Sequence, residues 1–88
     1  MELEQLRIFL AVAEHQSFTA AARALFVSHS TTSRAVSALE RELETQLMNR
    51  EARTVSLTPA GEILQAEARK ILAQVESMKE NIKQEKRE

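Results

Sequence analysis

The 88-residue chain contains no cysteine, tryptophan or tyrosine, and it has one glycine and one proline. Without cysteine, neither a disulfide framework nor a thiolate zinc site can form. No apolar run approaches the roughly 20 residues that a membrane-spanning helix needs. The first residues, M-E-L-E-Q-L-R, lack the basic start and apolar stretch of a secretory signal. These absences exclude disulfide-rich and membrane-spanning classes and favour a cytoplasmic protein.

The chain also lacks the residue patterns that enzymes and cofactor-binding proteins carry. Its two histidines, His15 and His29, are far apart, and neither has an acid-base partner in its neighbourhood. No phosphate-binding glycine loop, no cluster of metal ligands and no nucleophile constellation occurs. We therefore predict a protein that is not an enzyme, with no catalytic residues, no cofactor and no metal site.

Acidic residues are missing from one segment of an otherwise acidic chain. The formal net charge is −1 and the pI is about 6.1, which counts against nucleic-acid binding because such proteins usually have a basic surface. Between Gln16 and Leu39, however, the only charged side chains are Arg23 and Arg34. This segment therefore offers a carboxylate-free surface within an acidic average.

Apolar residues at helical spacing predict three helices in the first half of the chain. The first covers residues 3–13. A second, short helix begins where Ser17 or Thr19 can cap it, and Ser28 can cap a third helix that ends at about Leu43. With 43% hydrophobic residues, the chain has the composition of one small globular domain. We place its three phenylalanines in the core: Phe9, Phe18 and Phe26.

A strand pattern follows the third helix. Val55 and Leu57 alternate with hydroxyl residues, which predicts a strand with one buried face. The hairpin, or wing, then spans about residues 46–57, with its tip at 49–53. Thr58 followed by proline is a typical helix start, because proline needs no amide partner at the first helical position.

One long helix is predicted from residue 59 to the end of the chain. Its apolar residues are spaced alternately four and three apart, and this heptad seam extends back through Gly61 and Leu57. The first turns can pack on their own domain, but beyond about Val75 the helix outruns so small a core. The polar tail, K-Q-E-K-R-E, is expected to fray. We predict self-association through the seam residues Leu64, Ala68, Ile71, Val75, Met78 and Ile82.

The third helix has an unusual polar surface. Residues 27–39 read V-S-H-S-T-T-S-R-A-V-S-A-L, although Ser and Thr compete with helix formation and add little stability. The DNA major groove favours short side chains, base-edge donors and acceptors, and arginine for guanine O6 and N7. Two short helices followed by a hairpin make a winged helix-turn-helix, whose second helix lies in that groove. The candidate DNA contacts on this surface are His29, Ser30, Thr31, Ser33, Arg34 and Ser37.

Three segments follow one another in the order and spacing of a known family. They are L-R-I-F-L-A-V-A-E-H-Q-S-F-T-A-A-A-R-A-L, V-S-H-S-T-T-S-R-A-V-S-A-L-E-R-E-L and L-M-N-R-E-A-R-T-V-S-L-T-P-A-G, and they cover nearly everything from Leu6 to Gly61. The chain resembles the N-terminal DNA-binding domain, with linker helix, of a LysR-type transcriptional regulator. The resemblance implies a mainly helical winged helix-turn-helix over residues 1–58 and a long dimerisation helix over 59–88.

The family's S-Q-P-A-L-S-R aligns with seven residues at the start of the third helix. Ser28, Ser33 and Arg34 match it, whereas His29 replaces a glutamine and Ser30 a proline. The resemblance therefore adds Ser28 to the candidate DNA contacts. The replacements bear on which DNA sequence is read rather than on the general role.

Four further positions can be compared with the family pattern, and two of them differ from it. Thr32 replaces an apolar residue, so its hydroxyl must bond to a carbonyl. Glu44 stands where glycine commonly ends the helix, which weakens the left-handed cap and can lengthen the helix or shift the wing. Arg50 and Arg53 match the two wing arginines, and Arg53 is the better candidate for the minor groove. For Arg50, an ion pair with Glu40 or Glu44 is an equal alternative.

The resemblance implies a bacterial, cytoplasmic and nucleoid-associated regulator that binds double-stranded DNA at an interrupted inverted repeat. It implies a homodimer and leaves a tetramer open for the full-length protein. Family members carry a larger C-terminal domain that senses a small-molecule inducer, and no segment of this sequence corresponds to it. The alternative is a winged-helix module for protein interaction or dimerisation that does not bind DNA. The acidic pI supports that alternative, and the acid-free surface around Arg34 opposes it.

Overall fold

The computed structural model describes residues 1–51 and 54–87 and contains four helices and a two-stranded antiparallel sheet within them. In the sheet, Met48 pairs with Leu57 and Asn49 with Ser56. The predicted winged helix-turn-helix is confirmed, although each strand has only two residues. In chain order the elements are α1 (Leu3–His15), α2 (Phe18–Leu25), α3 (His29–Leu43), β1 (Met48–Asn49), β2 (Ser56–Leu57) and α4 (Pro59–Lys86).

Hydroxyl side chains begin three of the helices, as the sequence predicts. Ser17 Oγ accepts a hydrogen bond from the Ala20 amide, Ser28 Oγ from the Thr31 amide and Thr58 Oγ1 from the Gly61 amide, each at 3.0 Å. Each cap satisfies an amide that has no partner within its helix and contributes about 1 kcal/mol. Of the two candidates for α2, Ser17 is the cap.

Three helices end in left-handed residues that are not glycine: Gln16 (φ 54°), Phe26 (φ 58°) and Glu44 (φ 53°). The departure at Glu44 neither lengthens α3 nor removes its cap. The Glu44 amide donates to the Arg41 carbonyl at 3.3 Å and the Thr45 amide donates to the Glu40 carbonyl at 3.1 Å. The hydrogen bonds of the cap form with a glutamate in place of glycine, at a conformational cost of about 1–2 kcal/mol.

The core lies between α1, α3 and the base of the wing. Phe9, Val36 and Met48 are each 0% exposed and come from these three elements. Thr32 is also fully buried, and its Oγ1 donates to the Ser28 carbonyl at 3.0 Å, which satisfies the hydroxyl as predicted. The prediction for Phe26 is wrong. Its left-handed backbone turns the ring outward, and the side chain is 95% exposed.

The first turns of α4 pack on the helix-turn-helix and the base of the wing, which we call the head (residues 1–51 and 54–58). Gly61 is buried, and Ala68 lies in the core. With 28 residues, α4 is about 42 Å long and accounts for most of the 54 Å extent of the molecule. The tail that was expected to fray is helical as far as Lys86, since Lys, Glu and Gln are good helix formers. None of the described helices is long and apolar enough to cross a bilayer.

Candidate nucleic-acid interface

The polar residues of α3 lie on the side of the helix that faces away from the core. Helical periodicity separates them from the buried residues Ala35, Val36 and Leu39 on the opposite side. The exposed set is Ser28, His29, Ser30 and Arg34, and the half-buried set is Thr31, Ser33 and Ser37. The structure thus brings together all the sequence-predicted residues of this helix on one accessible surface, which we call the α3 face.

The first turn of α3 is ordered by its own hydroxyls. Ser28 Oγ accepts from the Thr31 amide at 3.0 Å and donates to Thr31 Oγ1 at 2.9 Å. Thr31 therefore keeps its own hydroxyl hydrogen for an external acceptor. Within residues 1–51 and 54–87, the hydroxyls of Ser30, Ser33 and Ser37 make no side-chain hydrogen bond to the protein. They remain available to a ligand.

A shallow groove runs between the start of α1 and the α3 face. Arg34 and Ser37 line its α3 side, and so does Arg41, which the sequence reasoning did not select. Arg41 follows Arg34 by seven residues, which is two helical turns, so both project from the same side of α3. That spacing was readable in the sequence, but the three glutamates around Arg41 concealed it.

Carboxylates also border this groove, which the sequence reasoning did not anticipate. Glu2 and Glu4 line its α1 side, and Glu4 lies 3.7 Å from Arg7. Beyond the groove lining, Glu42 lies 2.9 Å from the Met1 amino group. The hydrogen bond that this amino group donates to the Glu42 carboxylate raises the pKa of the amino group above its ordinary value. Among the described residues, no carboxylate lies within 4 Å of Arg34, and no three side chains form a metal-binding group. The Arg34 guanidinium is therefore available to an external acceptor.

Glu40 holds the wing against α3. One carboxylate oxygen, Oε2, accepts from the Leu47 amide at 2.9 Å and from the Met48 amide at 3.4 Å, while Oε1 accepts from Arg50 Nη2 at 3.0 Å. Of the alternatives left open for Arg50, the ion pair with Glu40 is present. The other wing arginine, Arg53, lies outside the described residues, and its role in the minor groove stays a prediction.

The seam residues of α4 fall into two groups. Ala68 is 0% exposed and belongs to the core of its own domain, so it offers no surface to a second copy, and its assignment to an interface is corrected. Leu64 is partly buried against the same core. Farther along, Ile71, Met78 and Ile82 are 42%, 50% and 55% exposed, and Val75 is half-buried. Ile63, which the heptad pattern omits, is also exposed, at 67%, and lies in a groove with Leu47 and Leu64 at the start of α4.

The fold and the α3 face define a winged helix-turn-helix protein. Residues 3–62 match the family model for bacterial regulatory helix-turn-helix proteins of the lysR family. The chain therefore belongs to this family, as its resemblance implied. A probable hydrogen peroxide-inducible genes activator of Streptomyces viridosporus is 50% identical over 78 residues, which are 89% of this chain and 25% of that protein. The chain spans about a quarter of the length of the curated relatives it matches.

Solved structures of two relatives share the fold over almost the whole chain. The DNA-binding domain of BenM, in a complex with catB site 1 DNA, is 43% identical with a TM-score of 0.92, covering 96% of this chain and 93% of that one. The DNA-binding domain of CbnR, also in a DNA complex, is 37% identical with a TM-score of 0.90, covering 94% and 95%. Both similarities extend to α4 as well as the head.

Proposed function

We propose that this chain is the DNA-binding part of a bacterial transcriptional regulator and that it recognises specific duplex sequences. The observation that carries the proposal is the α3 face, an accessible helical surface of hydroxyls, one imidazole and an unpaired guanidinium. Its shape suits the major groove, which is about 12 Å wide and admits one helix about 10–12 Å across. The BenM and CbnR domains, which have this fold, are in complexes with DNA.

Each residue type on the α3 face has a distinct part in recognition. Arg34 can donate two parallel hydrogen bonds to guanine O6 and N7. The hydroxyls of Ser30, Ser33 and Ser37 are short enough to let the helix approach and can donate to or accept from base edges or phosphates. The wing extends toward the adjacent minor groove, with Arg53 as the candidate contact. Phosphate contacts supply most of the affinity, and base contacts supply the discrimination.

The exposed half of α4 supports a homodimer. Ile71, Met78 and Ile82 recur at heptad spacing beyond the part of α4 that packs on the head. Two copies joined through this seam carry two α3 faces at a fixed separation, so we expect the operator to be an interrupted inverted repeat. A protein with this function works in the bacterial cytoplasm, in association with the nucleoid.

Selection of bound sites from a random duplex pool tests the proposal and reveals the half-site spacing. Arg34→Ala should then lose about 1–3 kcal/mol of discrimination at one base pair per half-site, because a bidentate contact is removed. Arg23→Ala, which removes a charge from an exposed position of α2, is the matched control and should retain the site preference. Fluorescence anisotropy with selected and scrambled duplexes measures both. If the wild-type chain binds no duplex at low salt, the proposal is wrong.

A protein-interaction module remains the second candidate, favoured by the acidic pI and by the apolar surface of α4. The two candidates differ in their response to salt. Binding through phosphates weakens steeply as salt rises, because neutralised phosphates release counterions. Self-association through apolar residues does not weaken in this way, so a salt series on duplex binding separates the two.

A further inference from the structure

A continuous row of side chains connects the wing to the start of α3. It consists of Glu40, Arg50, Phe18 and His29, which we call the wing strut. Arg50 pairs with Glu40 at 3.0 Å, and its guanidinium carbon lies 5.1 Å from the centre of the Phe18 ring. The Phe18 and His29 ring centres are 6.2 Å apart, with the ring planes tilted by 47°. The base of the wing thus contacts the first residue of α3 through one aromatic ring.

Each contact of the strut lies within the range of a favourable interaction. A guanidinium within about 6 Å of a ring centre is attracted to the electron-rich face of the ring. Tilted aromatic pairs are favourable at centre separations of about 4.5–7 Å. Phe18 is half-buried, so its ring is held by the domain while one part of it remains available to these neighbours. The ring can therefore transmit the position of Arg50 to His29.

His29 depends on such support, because it is the first residue of α3 and its side chain is exposed. An exposed imidazole changes rotamer freely, and a base contact would have to order it upon binding. Among the described residues, the Phe18 ring is an aromatic neighbour that can order the imidazole. Glu40, in turn, fixes Arg50 from the far side of the strut.

We propose that Arg50 and Phe18 are positioning residues that orient the His29 imidazole for base recognition and tie this orientation to the placement of the wing. The inference rests on the proposed function, since it takes His29 as part of the DNA-reading surface. It also assigns Arg50 a part that does not require contact with DNA. A contact of this strength should change discrimination at the base read by His29 by about two- to tenfold.

The first experiment uses the free protein and does not depend on DNA. NMR spectra would follow the imidazole ring protons of His29 in Phe18→Leu and Arg50→Met, two variants that keep apolar bulk. Both should shift the His29 resonances and leave those of His15 unchanged. Arg23→Met, which also removes one exposed arginine, should leave both histidines unchanged. If neither strut variant moves the His29 resonances while thermal unfolding shows both folded, the strut does not exist.

The second experiment compares site preference and salt dependence on selected duplexes. Arg50→Met should lose discrimination, by about two- to tenfold, at the base pair whose recognition His29→Ala also weakens. In the His29→Ala background the same change should have no further effect at that base pair, because the two residues act as one unit. The slope of log affinity against log salt should stay unchanged.

Two results on duplex binding by Arg50→Met would overturn the proposal. A direct phosphate contact by Arg50 would weaken binding equally on all sequences and reduce the magnitude of the salt slope by about one, which would overturn the proposal. If Arg50→Met discriminates between the duplexes as well as the wild type does, the proposal is overturned too. If the wild-type chain binds no duplex, the proposed function fails, whereas the NMR comparison still decides whether the strut orients His29.

Discussion

Replacing Gly61 with alanine is predicted to destabilise the protein, although alanine is the better helix former. Gly61 is the third residue of α4 and lies against the segment that enters the wing. A Cβ atom there would overlap the Leu47 carbonyl oxygen and would lie 3.2 Å from Leu57 Cδ2. Because the overlap is with backbone, no rotamer change relieves it, and α4 must move away from the wing.

The size of the effect follows from three opposing contributions. Alanine in place of glycine stabilises a helix by about 1 kcal/mol. Overpacking costs about 1–3 kcal/mol. The displacement also strains two hydrogen bonds at the same junction, from the Thr58 amide to the Leu47 carbonyl at 3.0 Å and from Thr58 Oγ1 to the Gln46 carbonyl at 2.7 Å, each contributing about 1 kcal/mol. The net loss is about 2–4 kcal/mol, a large part of the about 5–15 kcal/mol of a typical domain.

Urea unfolding followed by circular dichroism measures this loss. Wild type and variant must be compared at one protein concentration, because self-association contributes to the apparent stability. Ala66→Gly, at an exposed position of the same helix, is the control and should cost about 1 kcal/mol through helix propensity alone. A Gly61→Ala protein as stable as the wild type, or more stable, would refute the close approach of α4 to Leu47.

Two further changes test the left-handed turn and the exposed seam. Phe26→Gly should stabilise the protein by up to about 1.5 kcal/mol in thermal unfolding, because it removes about 1–2 kcal/mol of left-handed strain at an added chain-entropy cost of about 0.5–1 kcal/mol. Phe26→Ala keeps the strain and should show no such gain. Ile71→Glu with Met78→Glu should leave the head folded but monomeric in sedimentation, because two charges enter the seam. Ala73→Glu with Ser77→Glu places the same charges off the seam, and a monomer there would argue against the assignment.

Local chemistry explains why the helix boundaries could be predicted. A cap joins a hydroxyl to an amide three residues away, so the starts at Ser17, Ser28 and Thr58 depend on neighbouring residues alone. The buried hydroxyl of Thr32 is similar, since its acceptor lies one turn earlier in the same helix. Helical periodicity then separated the α3 face from the buried side of the same helix.

Long-range packing explains what could not be predicted. The apolar character of Phe26 suggested a core residue. Its position at a left-handed helix end instead directs the side chain toward the solvent. The heptad pattern could not distinguish Ala68, which the head covers, from Met78, which lies beyond it. Both outcomes depend on where α4 and the turn after α2 lie relative to the rest of the chain.

Neighbouring residues were enough to predict the helices, the caps at Ser28 and Thr58, the polar surface of α3 and the family, because these features depend on residues within a few turns of one another. The contacts of Glu40 with the wing and of Arg50 with Phe18 emerge from the folded chain alone, since Arg50 and Phe18 are 32 positions apart in the sequence (50 minus 18). Such contacts depend on the angles at which separate elements pack. Those angles are set by the whole core rather than by any local pattern.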